Sequence, residues 1–406
     1  MDRNNLDLKP SHPMFSTWEM EVIRLLNKGF SSRKNAETLN IPAIFYILRP
    51  ILLIYWFKFK IQLIMSNRRT FLYKSALSLG GMALVPSYLS GAPAIIKSYN
   101  KPNSKINGVQ IGCITYSFRS MPDQSAEATL GYVRESGISA IELMGGPAEQ
   151  FAGIPESQMD RSRLFQLGRK ERQGEELSQE EQEELKGLQE EAEAYTKVVA
   201  EWRSKTDFKK FEQLRKMYKD AGVQIYAFKP SAFGKTNTNE EIHYGMKAAR
   251  ALGADHVTLE HPSDDAHTQK LGKMGIINKM NVAYHGHEQQ TFTFWDTALA
   301  QSPRNALNFD TGHYVAAGHT DMMELIEKQH KRISSMHIKD RQTPENGKGN
   351  LPWGEGDTPL KEVLQAMRNN KYKFPASIEL EYRIPDGSDA VNEVQKCLEF
   401  CRKALT

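Results

Sequence analysis

Cysteine is scarce: the 406 residues hold three, Cys113, Cys397 and Cys401. No two of them form a Cys-x-x-Cys knuckle, so neither a disulfide framework nor a thiolate metal site organises the chain. Cys397 and Cys401 lie four apart on a predicted terminal helix and read as small buried hydrophobes. No apolar run is clean enough for a membrane: Ile41–Phe57 carries Arg49-Pro50 in its middle, which excludes a stable span there. No Gly-x-Gly-x-x-Gly follows the first predicted strand, so a dinucleotide fold gains no support. Repeats at solenoid periods are also missing. An excess of positive charge is missing where it would matter. The net charge of +4 comes from residues 1–93, which carry 12 Lys+Arg against 5 Asp+Glu and leave 41 against 44 for residues 94–406. A mildly acidic body offers no footprint for a phosphate backbone, and nucleic acid is excluded as the expected partner.

What is present begins with a leader. From Met65 the chain reads Ser66-Asn67-Arg68-Arg69-Thr70-Phe71-Leu72-Tyr73-Lys74, then an apolar stretch through Leu84-Val85, then Ser90-Gly91-Ala92-Pro93. A charged start, a modest apolar core and small residues at the end are the parts of an export signal. The paired arginines before Phe-Leu resemble a twin-arginine signal and imply an exported, periplasmic protein. Residues 1–64 are expected to be an over-extended reading frame or a disordered extension, with Met65 the initiator. Residues 94–107 read as a linker.

From Val109 a rhythm of short β-rich run, polar turn and longer amphipathic run sets in. Eight strands are predicted: Val109–Thr115, Ala140–Met144, Val223–Phe228, His256–Glu260, Val282–His285, Ala306–Asp310, Ile333–Ile338 and Ala376–Leu380. The helices between them are predicted at 124–136, 207–221, 239–252, 266–280, 293–301, 319–330, 358–370 and 388–405. Eight β/α units predict an α/β fold, a (β/α)8 TIM barrel over 108–406. Residues 151–206 interrupt the rhythm after the second strand. Their Glu, Gln, Lys and Arg predict a solvated helical insertion over the C-terminal face, either a lid or dimer arm or a passive surface.

Ionisable residues close seven of the eight strands. Glu142 stands in the second; Lys229 follows the third, Glu260 and His261 the fourth, His285 and His287 the fifth. Asp310 and His313 follow the sixth, His337, Lys339 and Asp340 the seventh, and Glu379 and Glu381 the eighth. Solvation explains one such end, not seven. A divalent cation explains gathered carboxylates and imidazole, and without thiolate the oxygen-rich set suits Mn²⁺, Mg²⁺ or Co²⁺, with Zn²⁺ also compatible. The expected ligands are Glu260, Asp310, His337 and Glu379. Glu379 and Glu381 share a strand face, so only one reaches the ion, and Glu379 is preferred. His285 and His287 also share a face, either contacting substrate hydroxyls or forming a two-histidine metal pair. Trp353, in Leu351-Pro352-Trp353-Gly354-Glu355-Gly356-Asp357, is a sugar platform or the packing of a turn. Glu142, Lys229, His261, His313, Lys339 and Glu381 are expected beside the substrate.

The β/α rhythm resembles the xylose-isomerase-like TIM-barrel family, and so do four motifs. These are Tyr284-His285-Gly286-His287-Glu288, Asn308-Phe309-Asp310-Thr311-Gly312-His313, His337-Ile338-Lys339-Asp340 and the Gly354-Glu355-Gly356 turn. That family holds sugar isomerases and epimerases, inosose dehydratases and endonuclease IV relatives. The resemblance implies a Glu/Asp/His/Glu metal site on Glu260 (or the His285 position), Asp310, His337 and Glu379. Many members carry Glu where this chain has His285, which makes Glu260 the expected first ligand. The acidic body argues against the nuclease branch.

The expected activity is metal-assisted proton abstraction beside a carbonyl of a sugar, with Glu260 or Glu379 moving the proton, giving isomerisation or epimerisation. If a β-oxygen leaves instead, the enzyme is a lyase or hydratase of keto-sugars or 3-keto-glycosides. A non-catalytic carbohydrate-binding barrel is the third reading. The expected partner is a small sugar or glycoside, with self-association into a homo-oligomer left open.

Overall fold

The computed structural model describes residues 101–406. The leader expected at 65–93, the stretch before it and the first half of the expected linker lie outside the described residues. At the linker's end, Lys105–Ile106 pair antiparallel with Val109 and Gln110, and buried Ser104 bonds to Ile111 and Ser139.

Eight parallel strands follow: β1 (Val109–Ile114), β2 (Ala140–Met144), β3 (Gln224–Lys229), β4 (His256–Glu260), β5 (Asn281–His285), β6 (Asn305–Asp310), β7 (Ile333–Ile338) and β8 (Ala376–Ile378). Each pairs with its neighbours in sequence order, and β8 pairs with β1, so the sheet closes into the expected barrel. Strands buried on both sides read as apolar runs, as parallel strands do. Predicted and observed bounds differ by a residue or two, most at β8, which stops at Ile378 rather than Leu380.

Twelve α-helices lie among the described residues: α1 (Ala126–Glu135), α2 (Gly145–Ala152), α3 (Arg161–Arg172), α4 (Gln179–Lys205), α5 (Lys209–Asp220), α6 (Asn239–Leu252), α7 (Asp265–Asn278), α8 (Asp296–Gln301), α9 (Thr311–Ala316), α10 (Met322–Gln329), α11 (Leu360–Asn369) and α12 (Ala390–Leu405). Apolar stripes dock them on the barrel. In α5 the stripe is Phe211, Leu214 and Tyr218; in α12 it runs through Val394, Cys397, Leu398, Cys401 and Leu405. Both cysteines are therefore packing residues, as expected. Each fully buried side chain of this size contributes about 1.5–3 kcal/mol. Gly253 ends α6 at φ +81°, a left-handed cap that costs glycine no Cβ clash.

The segment after β2 contains α3 and α4, tied together by Arg163–Glu184 and Lys170–Glu181 pairs. A capping box of Ser178 and Glu181 starts α4. Near its other end Arg203 is buried against the barrel helices, its guanidinium 3.1 Å from Glu149 on α2 and 3.3 Å from Glu241 on α6. None of these helices is long and apolar enough to cross a membrane.

Candidate active site

Barrel register sets which strand ends meet. Asp310 lies level with His337, His337 with Ser377, and His285 with Glu260 on one side and Asn308 on the other. Two register shifts, at Ile141/Glu142 and Leu307/Asn308, re-aim side chains just where the chemistry gathers. Pairing continues beyond β8, where Glu379 N donates to Ile338 O at 3.2 Å, so Glu379 stands beside the end of β7.

The result is a group of four buried residues, His285, Asp310, His337 and Glu379, whose donor atoms lie within 4.8 Å of one another. His337 is the hinge of the group. Its Nδ1 faces Glu379 Oε2 at 3.2 Å and Asp310 Oδ2 at 4.0 Å, while Nε2 meets Glu142 Oε2 at 2.8 Å. Burial opposes charge on this ring, but Glu379 and Glu142 outweigh it and push His337 up to about 10. His285 goes the other way: burial and the neighbouring His337 charge hold it well below the usual histidine range. Asp310 caps α9, accepting from His313 N, as its position before a helix allows. Burial, opposed by Lys339 and reinforced by Glu379, pushes it up to about 6.

Lys339 is buried beside them, its Nζ 3.1 Å from Asp310, 2.7 Å from Glu379 and 2.6 Å from Glu381. Those carboxylates raise its pKa despite burial. Gly312 makes room for it: a Cβ there would lie 2.9 Å from the Lys339 carbonyl oxygen and nearer still to its side chain. That close approach explains the glycine of the Asp-Thr-Gly-His run.

Asp310 Oδ2, His285 Nδ1 and His337 Nδ1 have no hydrogen-bond partner although all are buried. Asp310 Oδ2 still lies 3.1 Å from Lys339 Nζ and His337 Nδ1 3.2 Å from Glu379. Of the three it is His285 Nδ1 that also lacks a charged partner, and an unsatisfied buried polar atom costs about 1–3 kcal/mol. Two imidazole nitrogens and two carboxylates fit a divalent ion of the manganese-to-zinc class.

Several expectations need correcting. Glu260 is outside this group: it stands half-exposed on the rim, 2.7 Å from Lys229 and 3.0 Å from His287, while His285 occupies the place expected of it. Glu260 and His285 are level on adjacent strands and share a face of the sheet. β4, however, lies two strands from β6, so Glu260 meets Lys229 and His287 while His285, one strand nearer, reaches Asp310. Burial opposes charge on Glu260, but the His287 hydrogen bond and the Lys229 charge hold its carboxyl well below the usual range. Glu142, expected beside substrate, is completely buried and accepts from Thr258, Asn308 and His337. His261 packs on Phe294 and Tyr284 instead of facing the group. Trp353 meets Phe400 edge-on at 5.7 Å, and Asp340 accepts from the Gly354, Gly356 and Thr358 amides, so this segment is a packed turn.

His287 and His313 stack at 4.4 Å on the open side of His285, and Lys229, with Glu260, completes that edge. Sequence reasoning passed over Asn308, Thr258 and Arg341. Asn308 bonds to Glu142 and His337; Arg341 pairs with Glu288 and reaches His313 Nδ1 at 2.6 Å. A polar Asn inside an otherwise apolar strand was the available signal.

Residues 277–404, from the end of α7 through most of α12, match the family model described as xylose isomerase-like TIM barrel. Solved structures similar to this chain include a sugar phosphate isomerase/epimerase from Parabacteroides distasonis (14% identity, 72% of this chain and 93% of that one, TM-score 0.46). A xylose isomerase domain protein from Alicyclobacillus acidocaldarius (15%, 73% and 99%, 0.47) and a D-psicose 3-epimerase (11%, 73% and 99%, 0.47) are others. No curated protein sequence matches the chain.

Proposed function

We propose that this chain, a xylose isomerase-like TIM barrel by its closed eight-stranded sheet and by the match over residues 277–404, is a metal-dependent sugar isomerase or epimerase. The observation that carries the reading is the convergence of donor atoms from His285, Asp310, His337 and Glu379 at the mouth of the barrel, with His285 Nδ1 buried and without a partner. Those four residues would hold the ion, which supplies Lewis-acid stabilisation of negative charge on a sugar oxygen.

The protein's own groups divide the remaining work. Glu260 is ionised and half-exposed, so it can take the proton from the carbon beside a carbonyl. His287, 3.0 Å away and raised in pKa first by that same hydrogen bond, is placed to exchange this proton with it. Returned to the neighbouring carbon, the proton gives an isomer; an epimer needs a second acid to protonate the same carbon on its opposite face. Lys229, 2.7 Å from the other Glu260 oxygen, holds the carboxylate in position. Lys339 keeps Asp310 and Glu379 from repelling one another. The export leader expected at 65–93 would present such an enzyme with unphosphorylated sugars.

The test is incubation with a panel of sugars and 3-keto-glycosides in D₂O with Mn²⁺. Deuterium should enter one carbon of recovered substrate or product. Glu260→Gln should abolish exchange with metal retained, and Asp310→Ala should lose both. An unsaturated product would shift the reading to a lyase. No exchange with any compound, together with a protein indifferent to chelators, would overturn it.

A further inference from the structure

The body of the chain carries more acid than base, yet its charges are sorted rather than mixed. Between α5 and α6 runs a groove of about 520 Å³, with half-buried Phe208 and Ala251 in its wall. Arg215, Lys219, Lys247 and Arg250 stand exposed around it, and none of them pairs with a carboxylate among the described residues. Glu212 is the carboxylate on the lining, and Lys247 lies 5.2 Å over the Phe208 ring. A second groove of about 500 Å³ shares Arg215 and Lys219 and carries the basic strip on to Lys105, by the starts of β2 and β3. Unpaired cations gathered on one surface repel one another and draw in negative charge.

The opposite sign collects on the helical insertion. Residues 173–194 carry nine glutamates against Lys186 alone. At 3.6 residues per turn, Glu180, Glu183, Glu190 and Glu191 fall on one side of α4, turned away from buried Leu185. Gly187, Ala194 and Val198 lie on that same side, and Val198 is 46% exposed. Of those four glutamates only Glu190 has a cation near, Lys186 at 4.0 Å, whereas Glu181 and Glu184 are the ones held by Lys170 and Arg163 of α3. Carboxylates interleaved with small apolar groups are the complement of a cationic groove with an apolar wall. The arm cannot serve its own chain in this way. From the Arg203 anchor the helix rises 1.5 Å per residue, which puts Glu190 and Glu180 roughly 20 and 35 Å along its axis. No residue of α3 or α4 lines the groove, so the chain's own insertion leaves it open.

We propose that the acidic side of α4 docks in the basic groove between α5 and α6 of a second copy of this chain. A two-fold pair makes the contact twice, arm to groove and groove to arm. The metal-binding group takes no part in it, so the pairing stands or falls apart from the chemistry at the barrel mouth.

The experiment is sedimentation equilibrium of the full chain at stepped NaCl. The mass of a pair is expected at low salt, and association between exposed charges should weaken at least about tenfold from about 0.05 to 0.5 M NaCl. Lys219→Glu with Arg250→Glu reverses the groove, and Glu183→Lys with Glu190→Lys reverses the arm. Each double variant alone should be monomeric, with its fold checked by circular dichroism. Mixed in equal amounts they should pair again, because every groove then meets an arm of opposite sign. Should a reversal fail to fold, Lys219→Gln with Arg250→Gln should weaken pairing in the same direction. A parent chain that stays monomeric at low salt, variants that still pair, or folded variants that stay monomeric when mixed would each overturn the proposal.

Discussion

Glu142 and His337 meet at 2.8 Å in the barrel interior, both fully buried, although 195 residues separate them in the chain. The contact fixes Nε2 of His337 toward β2 and leaves Nδ1 facing Asp310 and Glu379. Glu142 thus orients a proposed metal ligand without touching an ion itself. Burial opposes its ionisation, yet the His337 charge and hydrogen bond, with Lys229 and Thr258, hold its carboxyl below the ordinary value. Glu142→Gln keeps the shape and removes the charge. It should weaken Mn²⁺ binding about 10–100-fold, the usual cost of a lost partner behind a ligand. Calorimetric titration measures this, and unchanged affinity would refute the orienting role.

Lys339 neutralises three carboxylates from a buried position. Lys339→Met leaves them uncompensated and should cost the metal-free protein about 3–5 kcal/mol. An ion that binds only the folded state should then restore more stability to the variant than to the parent. Thermal unfolding with and without Mn²⁺ gives the comparison. Equal metal-induced shifts in Tm for the two proteins would rule the idea out.

Arg203 anchors α4 through Glu149, Glu241 and the Ser231 hydroxyl. Removing one member of a buried ionic network strands the others, so Arg203→Ala should destabilise the barrel by about 3–5 kcal/mol. Arg203→Lys, which keeps the charge but not the planar fork, should fall between the two. Urea unfolding decides; a loss below about 1 kcal/mol would mean the anchor is ornamental.

His256 is buried in the barrel interior, its Nε2 2.9 Å from the Ser335 hydroxyl. Burial pushes it down to about 4 from an ordinary 6.5. Between those values the unfolded chain takes up a proton that the folded one refuses. Stability from this group is therefore complete above pH 6.5 and declines as pH falls toward 4, by about 3 kcal/mol in all. His256→Gln should flatten that part of the stability profile, measured by urea unfolding at stepped pH. An unchanged slope would show that other groups set it.

The barrel was legible because its signals are local. Each strand is a short apolar run, each helix a stripe at helical spacing, and several helices stop at glycines such as Gly137, Gly222 and Gly253, all at positive φ. Asp310, His337 and Glu379 were legible for a related reason: they close apolar runs, and in a parallel barrel all such ends share one face. The choice between Glu260 and His285 was not, because adjacent strand ends are chemically equivalent in sequence. Only the barrel's strand neighbours decide it: β5 lies beside β6 and brings His285 to Asp310, while β4 lies one strand further away and leaves Glu260 with Lys229 and His287.

The amino-acid order alone thus determined the number of β/α units and the rim where ionisable groups collect. Tertiary structure decided which groups face one another: Glu142 beneath His337, Lys339 among three carboxylates, Trp353 against Phe400. The physical reason is that periodicity reports a residue's own burial. Partnership across a barrel depends on register, bulges and close approach at Gly312, which involve residues far apart in the chain.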